Sequence, residues 1–266
     1  MNPRNALLCV LTLTFVAATT AVVVASTNSP VQSPIPPYFG PLVGPVQLAG
    51  SDAQAQAFES VKAGYINKVK ALLPEWVAFT GVGMNQLDPQ RLYFAFPYAP
   101  RVYFIYEETG VIDQLGVTIA NVAAPVQGAA NGTNYTLFNS GRSCTDPLYS
   151  SDSGIRSTNE PLYPGDFVQL PTINAGQQLA FCLADNVNAQ GIPINVVGVP
   201  AVAYNGVSTI DGFQHMIAFF PDNSQYIIIG FEDWFFGDRD CNDMVVVIDI
   251  GAQNANFLRN PTGLPK

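Results

Sequence analysis

The stretch FQHMIAFFPDNSQYIIIGFEDWFFGDRDCNDMVVVIDI, residues 213–250, decides the fold. MIAFF, YIIIGF and MVVVIDI are short apolar runs rich in β-branched and aromatic residues, which suits strands buried in a sheet. PDNS at 221–224 is a hairpin turn: proline presets φ, and Asp, Asn and Ser bond back to their own backbone. It joins the strand of Phe219 to the strand of Ile227. The third run begins only after a loop, residues 232–243, that carries five carboxylates (Glu232, Asp233, Asp238, Asp240 and Asp243) and Asn242. The chain has only 20 acidic residues, so a quarter of them crowd into these 12 positions beside its most apolar sheet.

Outward from this stretch the β pattern continues back to Gln90. RLYFAF, RVYFIYEE, GVTIANV, NYTLFN, FVQLPTI, QQLAFCLAD and INVVGVPAVAY are further strand candidates, separated by Gly, Asn, Asp and Pro. The segment 139–165 has no period and is expected to be a long surface loop pinned by Cys144. One convincing helix precedes the strands. Ser51 and Gln54 stand at capping-box spacing, apolar residues recur at Ala57, Phe58, Val61, Tyr65, Val69, Leu72 and Leu73, and Pro74 closes the run. The expected fold is therefore all-β, an antiparallel β-sandwich of jelly-roll type with one N-terminal helix.

Composition agrees. Of 266 residues, 22 are Gly and 21 Pro, and only 12% are charged, the profile of short strands and tight turns. The first residues read as a secretory leader: the basic head MNPR, an apolar run, and a small-residue site at Val23-Val24-Ala25 before Ser26. The alternative is an uncleaved anchor, since the run is nearly long enough to span a bilayer. Small residues and threonines in its second half favour cleavage, and no later stretch is long and apolar enough to span. The expected organisation is a signal peptide at 1–25, a Pro-rich linker or arm at 26–47, a helical segment packed on the sandwich at 48–88, the β-sandwich at 89–251 and a frayed polar tail at 252–266. Location is then secreted, extracellular or at the cell surface.

A formal charge of −9 argues against nucleic acid and anionic membrane surfaces as partners and is compatible with cations. Once Cys9 leaves with the leader, Cys144, Cys182 and Cys241 remain. Two are expected to pair in an oxidising compartment, Cys144–Cys182 by preference and Cys182–Cys241 as the alternative. Asn131 and Asn134 begin acceptor sequons for N-glycosylation, which matter only in a eukaryotic source.

The acidic loop reads as a cation site. Two carboxylates about 5 Å apart repel by roughly 0.8 kcal/mol even at water's dielectric, and by more beside a core. Arg239 is the only cation in the loop. A divalent ion would compensate, and calcium is the natural choice because it takes six to eight oxygen ligands with loose geometry. Asp238, Asp240, Asn242 and Asp243 place oxygens at near-alternate positions that a curled loop could turn to one point, with Glu232 and Asp233 as further ligands. Magnesium keeps its waters, and zinc or copper would want His or thiolate, whereas the chain has one His. An EF-hand is dropped: the Gly position is Asp243, and strands flank the loop. The bland alternative is that these acids cap turns. Within the loop, Trp234, Phe235 and Phe236 form either a lid over the sandwich end or an exposed anchor for a partner or a sugar ring.

Gly-Phe-Glu-Asp (230–233) followed by Gly-Asp-Arg-Asp-Cys-Asn-Asp (237–243) and a β run resembles the closing signature of the secreted bacterial family catalogued as domain of unknown function 4114 (DUF4114), shared by LruC-type domains. Family members usually have Tyr or Phe where this chain has Cys241, which suits a buried thiol. Asp211-Gly-Phe-Gln-His215 and residues 175–183 are similar to upstream family elements, and the match spans about 170–250. Residues 102–119 are similar to an element often found ahead of the domain, with its Asn and Tyr positions changed. The resemblance implies a secreted β-sandwich, calcium binding through Glu232, Asp233, Asp238, Asp240 and Asp243, a place in large extracellular or surface proteins, and no reaction.

His215 is the one side chain suited to acid–base work near neutral pH, but on a strand it reads first as a hydrogen-bonded structural His. No nucleophile elbow, zinc motif or phosphate loop occurs, and Glu107 and Glu108 as adjacent strand residues would face opposite ways. The leading expectation is a non-enzymatic calcium-binding module in a matrix, adhesion or surface assembly, its partner an extracellular protein or glycan. A calcium-dependent lectin using Trp234 is second, and a metal-dependent hydrolase using His215 and Asp240 third.

Overall fold

The computed structural model describes residues 32–81, 86–89, 91–121, 132–145, 154–197 and 210–260. The expected leader cleavage site and Asn131 lie outside the described residues. The chain folds as two antiparallel sheets. The first runs in the order β1 (Gln86–Leu87), β9 (Met216–Phe219), β10 (Tyr226–Phe231), β11 (Met244–Asp249), β3 (Arg101–Tyr106) and β6 (Phe167–Gln169). The second runs β2 (Leu92–Tyr93), β7 (Gln177–Asp185), β4 (Gln114–Asn121) and β5 (Gly132–Phe138), with β8 (Asn195–Val197) also paired to β7. The strands match the sequence candidates, β1 excepted, and PDNS is the β9–β10 hairpin.

The uninterrupted apolar runs have a physical reason: both faces of the first sheet are covered. Alternate residues point opposite ways along a strand. Val102, Phe104, Ile227, Ile229, Val246 and Ile248 enter the core between the sheets, while Tyr103, Ile105, Ile228, Val245 and Val247 face α1 (Ala53–Leu72) on the other side. Phe58 of α1 stacks on Tyr103 with ring centroids 3.9 Å apart. Ala55, Phe58, Tyr65 and Val69 make the buried stripe, whereas Val61 and Leu72 from the apolar pattern stand exposed. The N-cap is Asp52 rather than Ser51, because Asp52 Oδ1 accepts from Ala55 N at 2.9 Å while its carboxylate also binds Arg101.

The connecting segments are held closely, and the expectation of a frayed tail is corrected. The described part of the Pro-rich arm is fastened to the sandwich: Val43 N bonds to Thr136 O, Gln47 pairs with Phe167, and Ile35 and Val46 are buried. The tail forms α2 (Ala252–Arg259), anchored by Asn254, whose Oδ1 accepts from Ala95 N and Phe96 N and whose Nδ2 donates to Phe96 O. The described ends of the 139–165 segment are largely buried, with Asn139, Ser140, Cys144 and Leu162 inside, because Asn139 and Ser143 bond to the arm and to Glu107.

Strand direction positions the site. β10 ends where β11 begins, with Phe231 opposite Met244, and Tyr106 at the end of β3 lies opposite Val245. Residues 107–113 then cross to the second sheet, where Gln114 at the start of β4 faces Ala184 near the end of β7. Both β4 and β11 carry a register irregularity close to this end. Five strand termini therefore meet at one end of the sandwich, and each brings acidic residues.

Candidate metal centre

The carboxylates at this end fall into three groups, in each of which one ligand atom per residue lies within 4.8 Å of the others: Glu232–Asp233–Asp243, Asp113–Asp185–Asp233 and Glu75–Asp238–Asp240. The expected single focus of Asp238, Asp240, Asn242 and Asp243 is thus corrected. The loop turns through left-handed conformations at Phe236, Arg239 and Cys241, which breaks the alternation; Asp238 and Asp240 group with Glu75, and Asp243 with Glu232 and Asp233. Such non-glycine conformations each cost of order 1–3 kcal/mol, and two more, Trp76 and Asn186, adjoin Glu75 and Asp185.

Glu232 and Asp233 leave β10 directly into the interior. Both are buried, as are Asp240 and Asn242, while Asp238 and Asp243 are half-buried. Glu232 N donates to His215 O at 2.9 Å. Asp233 N donates to Asp243 Oδ2 at 2.7 Å, and Asp233 Oδ2 accepts from Thr109 Oγ1 at 2.7 Å. Asp240 accepts from Trp76 N and Asn242 N. Asn242 Nδ2 donates to Leu73 O and leaves Oδ1 without a partner. Glu232 Oε2 is likewise a buried oxygen with no donor. Backbone approach requires glycine at 230, and Gly237 leaves room for the Glu232 carboxylate. A Cβ on Gly230 would stand 2.4 Å from Cys241 O, and one on Gly237 would stand 2.2 Å from Glu232 Oε1.

Charge in this region is uncompensated. Among the described residues, none of Glu232, Asp233, Asp238, Asp240, Asp243, Asp113 and Asp185 has a Lys or Arg within 4.0 Å. The Arg239 guanidinium lies over the Phe213 ring instead. Burial, reinforced by Asp238, Asp240 and Asp233, pushes the Glu232 carboxyl up to about 8. Burial and then Asp238 raise Asp240 to about 7. Burial and then Asp233 raise Asp185 to about 6. Asp113 and Asp243 stand well above the usual carboxylate range for the same reasons, burial first and then neighbouring acids. These groups lack positive charge.

The donor set is oxygen alone. His215 is buried, its Nε2 on Asp211 Oδ2 at 2.9 Å and its Nδ1 at 3.2 Å from Glu232 O, so both ring nitrogens are occupied. It buttresses the backbone from which the Glu232 side chain departs. Asp211 also accepts from Phe213 N and Phe236 N; burial opposes its ionisation, yet these bonds and His215 hold its carboxyl well below the usual range. Cys241 Sγ donates to Gln214 O, and burial raises its thiol. Cys144 and Cys182 are separate buried thiols rather than the expected pair. Cys144 bonds to Leu162 O, whereas Cys182 projects beside Gly116, on the face of β7 opposite Phe181 and Leu183.

The aromatic trio divides. Phe235 packs on His215 at 4.9 Å and against the core, while Trp234 and Phe236 are 62% and 68% exposed. Sequence reading missed Asp113, Asp185, Glu75 and Thr109. The available signal was positional: an acid stands directly before β4 and another closes β7.

Fold and site together define an antiparallel β-sandwich with a buried carboxylate array at one end. Comparison of the chain with protein-family models, curated proteins and solved structures finds no match.

Proposed function

We propose that the protein is a secreted, non-enzymatic calcium-binding module, of the kind the DUF4114 resemblance implies, in which the ion completes one end of a β-sandwich serving a matrix, adhesion or surface assembly. Glu232, Asp233 and Asp243 hold the ion. Half-buried Asp238 and Glu75, with the buried Asp240, supply the negative field that draws it in. The observation that carries this is the Glu232 carboxylate: buried among other acids, with Oε2 lacking any donor and no Lys or Arg within 4.0 Å among the described residues. An oxygen-only set with loose geometry suits calcium over zinc or copper. Two oxygens on one calcium at 2.3–2.6 Å are at most about 5 Å apart, which these groups satisfy.

Bound calcium would supply structure rather than chemistry, cancelling repulsion that otherwise opposes closure of the loop. The test is thermal unfolding with calcium and then with chelator. An upward shift of the midpoint with calcium, lost in Glu232→Gln, supports the proposal; an unchanged midpoint removes it.

A second reading, calcium-dependent glycan binding, is favoured by the exposure of Trp234 and Phe236 on the same loop. Flat exposed rings suit stacking on sugar faces. Glycan-array signals abolished by chelator and by Trp234→Ala would establish it, and a blank array would discard it.

A further inference from the structure

We infer that the protein holds a second calcium ion between Asp113, Asp185 and Asp233, sharing Asp233 with the ion at Glu232 and Asp243 and so tying the two sheets together. The inference rests on the calcium reading above and deepens it.

The three carboxylates come from different parts of the sandwich. Asp113 immediately precedes β4 and Asp185 ends β7, both in the second sheet, whereas Asp233 follows β10 of the first. All three are buried, with 1%, 3% and 5% exposure, and one oxygen of each lies within 4.8 Å of the others. Each has a hydrogen bond that orients it: Asp113 Oδ1 accepts from Asn186 N at 3.0 Å, Asp185 Oδ2 from Asn195 Nδ2 at 2.9 Å, and Asp233 Oδ2 from Thr109 Oγ1 at 2.7 Å. Among the described residues, no donor reaches the second oxygen of Asp113, Oδ2. A buried carboxylate oxygen meeting two further carboxylates and no donor needs either a shared proton or a cation, and a divalent ion serves all three carboxylates at once.

Charge counting points the same way. The two groups that share Asp233 contain five carboxylates. With all five ionised, as metal ligands must be, one divalent ion would leave three negative charges in a region of low dielectric; a second leaves one. Uncompensated buried charge is among the costliest features a fold can carry. Because the ligands belong to both sheets, the second ion cross-links them where the 107–113 crossover passes, which the first group, drawn wholly from the loop between β10 and β11, does not do.

The experiment is equilibrium dialysis of the metal-stripped full chain against calcium, comparing native protein with the D113N/D185N variant. Asparagine keeps an acceptor for Asn186 N and for Asn195 while removing two charges. The expected result is at least two ions per native chain and one fewer in the variant, with the ion lost in Glu232→Gln retained. Equal stoichiometry in native and variant, or a single ion in the native protein, overturns the second ion and leaves the first standing. A native protein that binds no calcium overturns both. If the double variant does not regain the native circular dichroism spectrum, Asp185→Asn alone serves. At least tenfold weaker binding of one ion, the other unmoved, supports the proposal, and two unchanged affinities overturn it.

Discussion

Two buried acids show what the chain does when it can satisfy a carboxylate by itself. Asp166, fully buried, receives a two-pronged ion pair from Arg156 and backbone bonds from Ala49 and Tyr163. Asp249, also fully buried, is surrounded by neutral donors: Gln54, Tyr98, Gln225 and Gly251 N. At the opposite end of β11 the chain supplies neutral donors to only part of the acids. Glu232, Asp233, Asp243, Asp113 and Asp185 crowd together without a basic side chain, and two buried oxygens, Glu232 Oε2 and Asp113 Oδ2, have no donor. The difference teaches that buried acids here are not simply tolerated. For Asp166 and Asp249 the chain itself builds every partner; for Glu232 Oε2 and Asp113 Oδ2 it does not, and the calcium proposal rests on that contrast.

The largest expected effect breaks the internally satisfied side of this comparison. Arg156→Met strands Asp166 and should cost about 3–5 kcal/mol, with or without calcium; urea unfolding in calcium and in chelator measures it. Next, removing calcium should cost about 2.7 kcal/mol if the native solution holds it at a hundredfold excess over Kd. For a chain of this size that is a fall of roughly 5–10 °C in midpoint. Glu232→Gln sharpens the contrast by changing sign. In chelator above pH 8, where the carboxyl is ionised, it relieves a buried charge and should stabilise by about 1–3 kcal/mol, whereas in calcium the native protein should be the more stable.

The pH dependence follows from the same raised carboxyls. The folded-state value of Glu232 is about 8 and of Asp240 about 7, both above the ordinary range. A carboxyl raised by folding binds its proton more tightly in the folded state. Its favourable contribution is complete below the unfolded value, near 4, and is lost as pH climbs through the folded value. In chelator, stability should therefore fall from pH 5 to pH 8, opposite to ordinary acid denaturation; calcium should flatten that slope. Urea midpoints across the range check this. The smallest effect is expected for Trp234→Ala, within about 0.5 kcal/mol of native stability, because the ring is mostly exposed. A larger loss would mean that it packs as a lid.

Legibility in the sequence tracked how local each feature is. Strands β9, β10 and β11 and their hairpin announce themselves through apolar runs and PDNS, since those signals lie within a few residues. α1 was readable from its period, yet its cap moved by one residue because Arg101, far along the chain, also engages Asp52. α2 escaped because its apolar content is small and one polar residue, Asn254, provides the anchor. In the site, Glu232, Asp233 and Asp243 were readable by density alone. Asp113 and Asp185, single acids beside strands, gain meaning only when strand ends meet.

The amino-acid sequence by itself determined the β class, the covering helix and the existence of an acidic loop between two strands, because hydrophobic period, turn chemistry and charge density are properties of neighbouring residues. Only the tertiary structure decided that the loop's acids divide between separate groups, that residues from both sheets join them, and that Trp234 faces outward while Phe235 packs inward. Those outcomes depend on which strand ends converge and on how the loop backbone twists between them. Both are set by packing across the whole sandwich, and no local window of sequence encodes them.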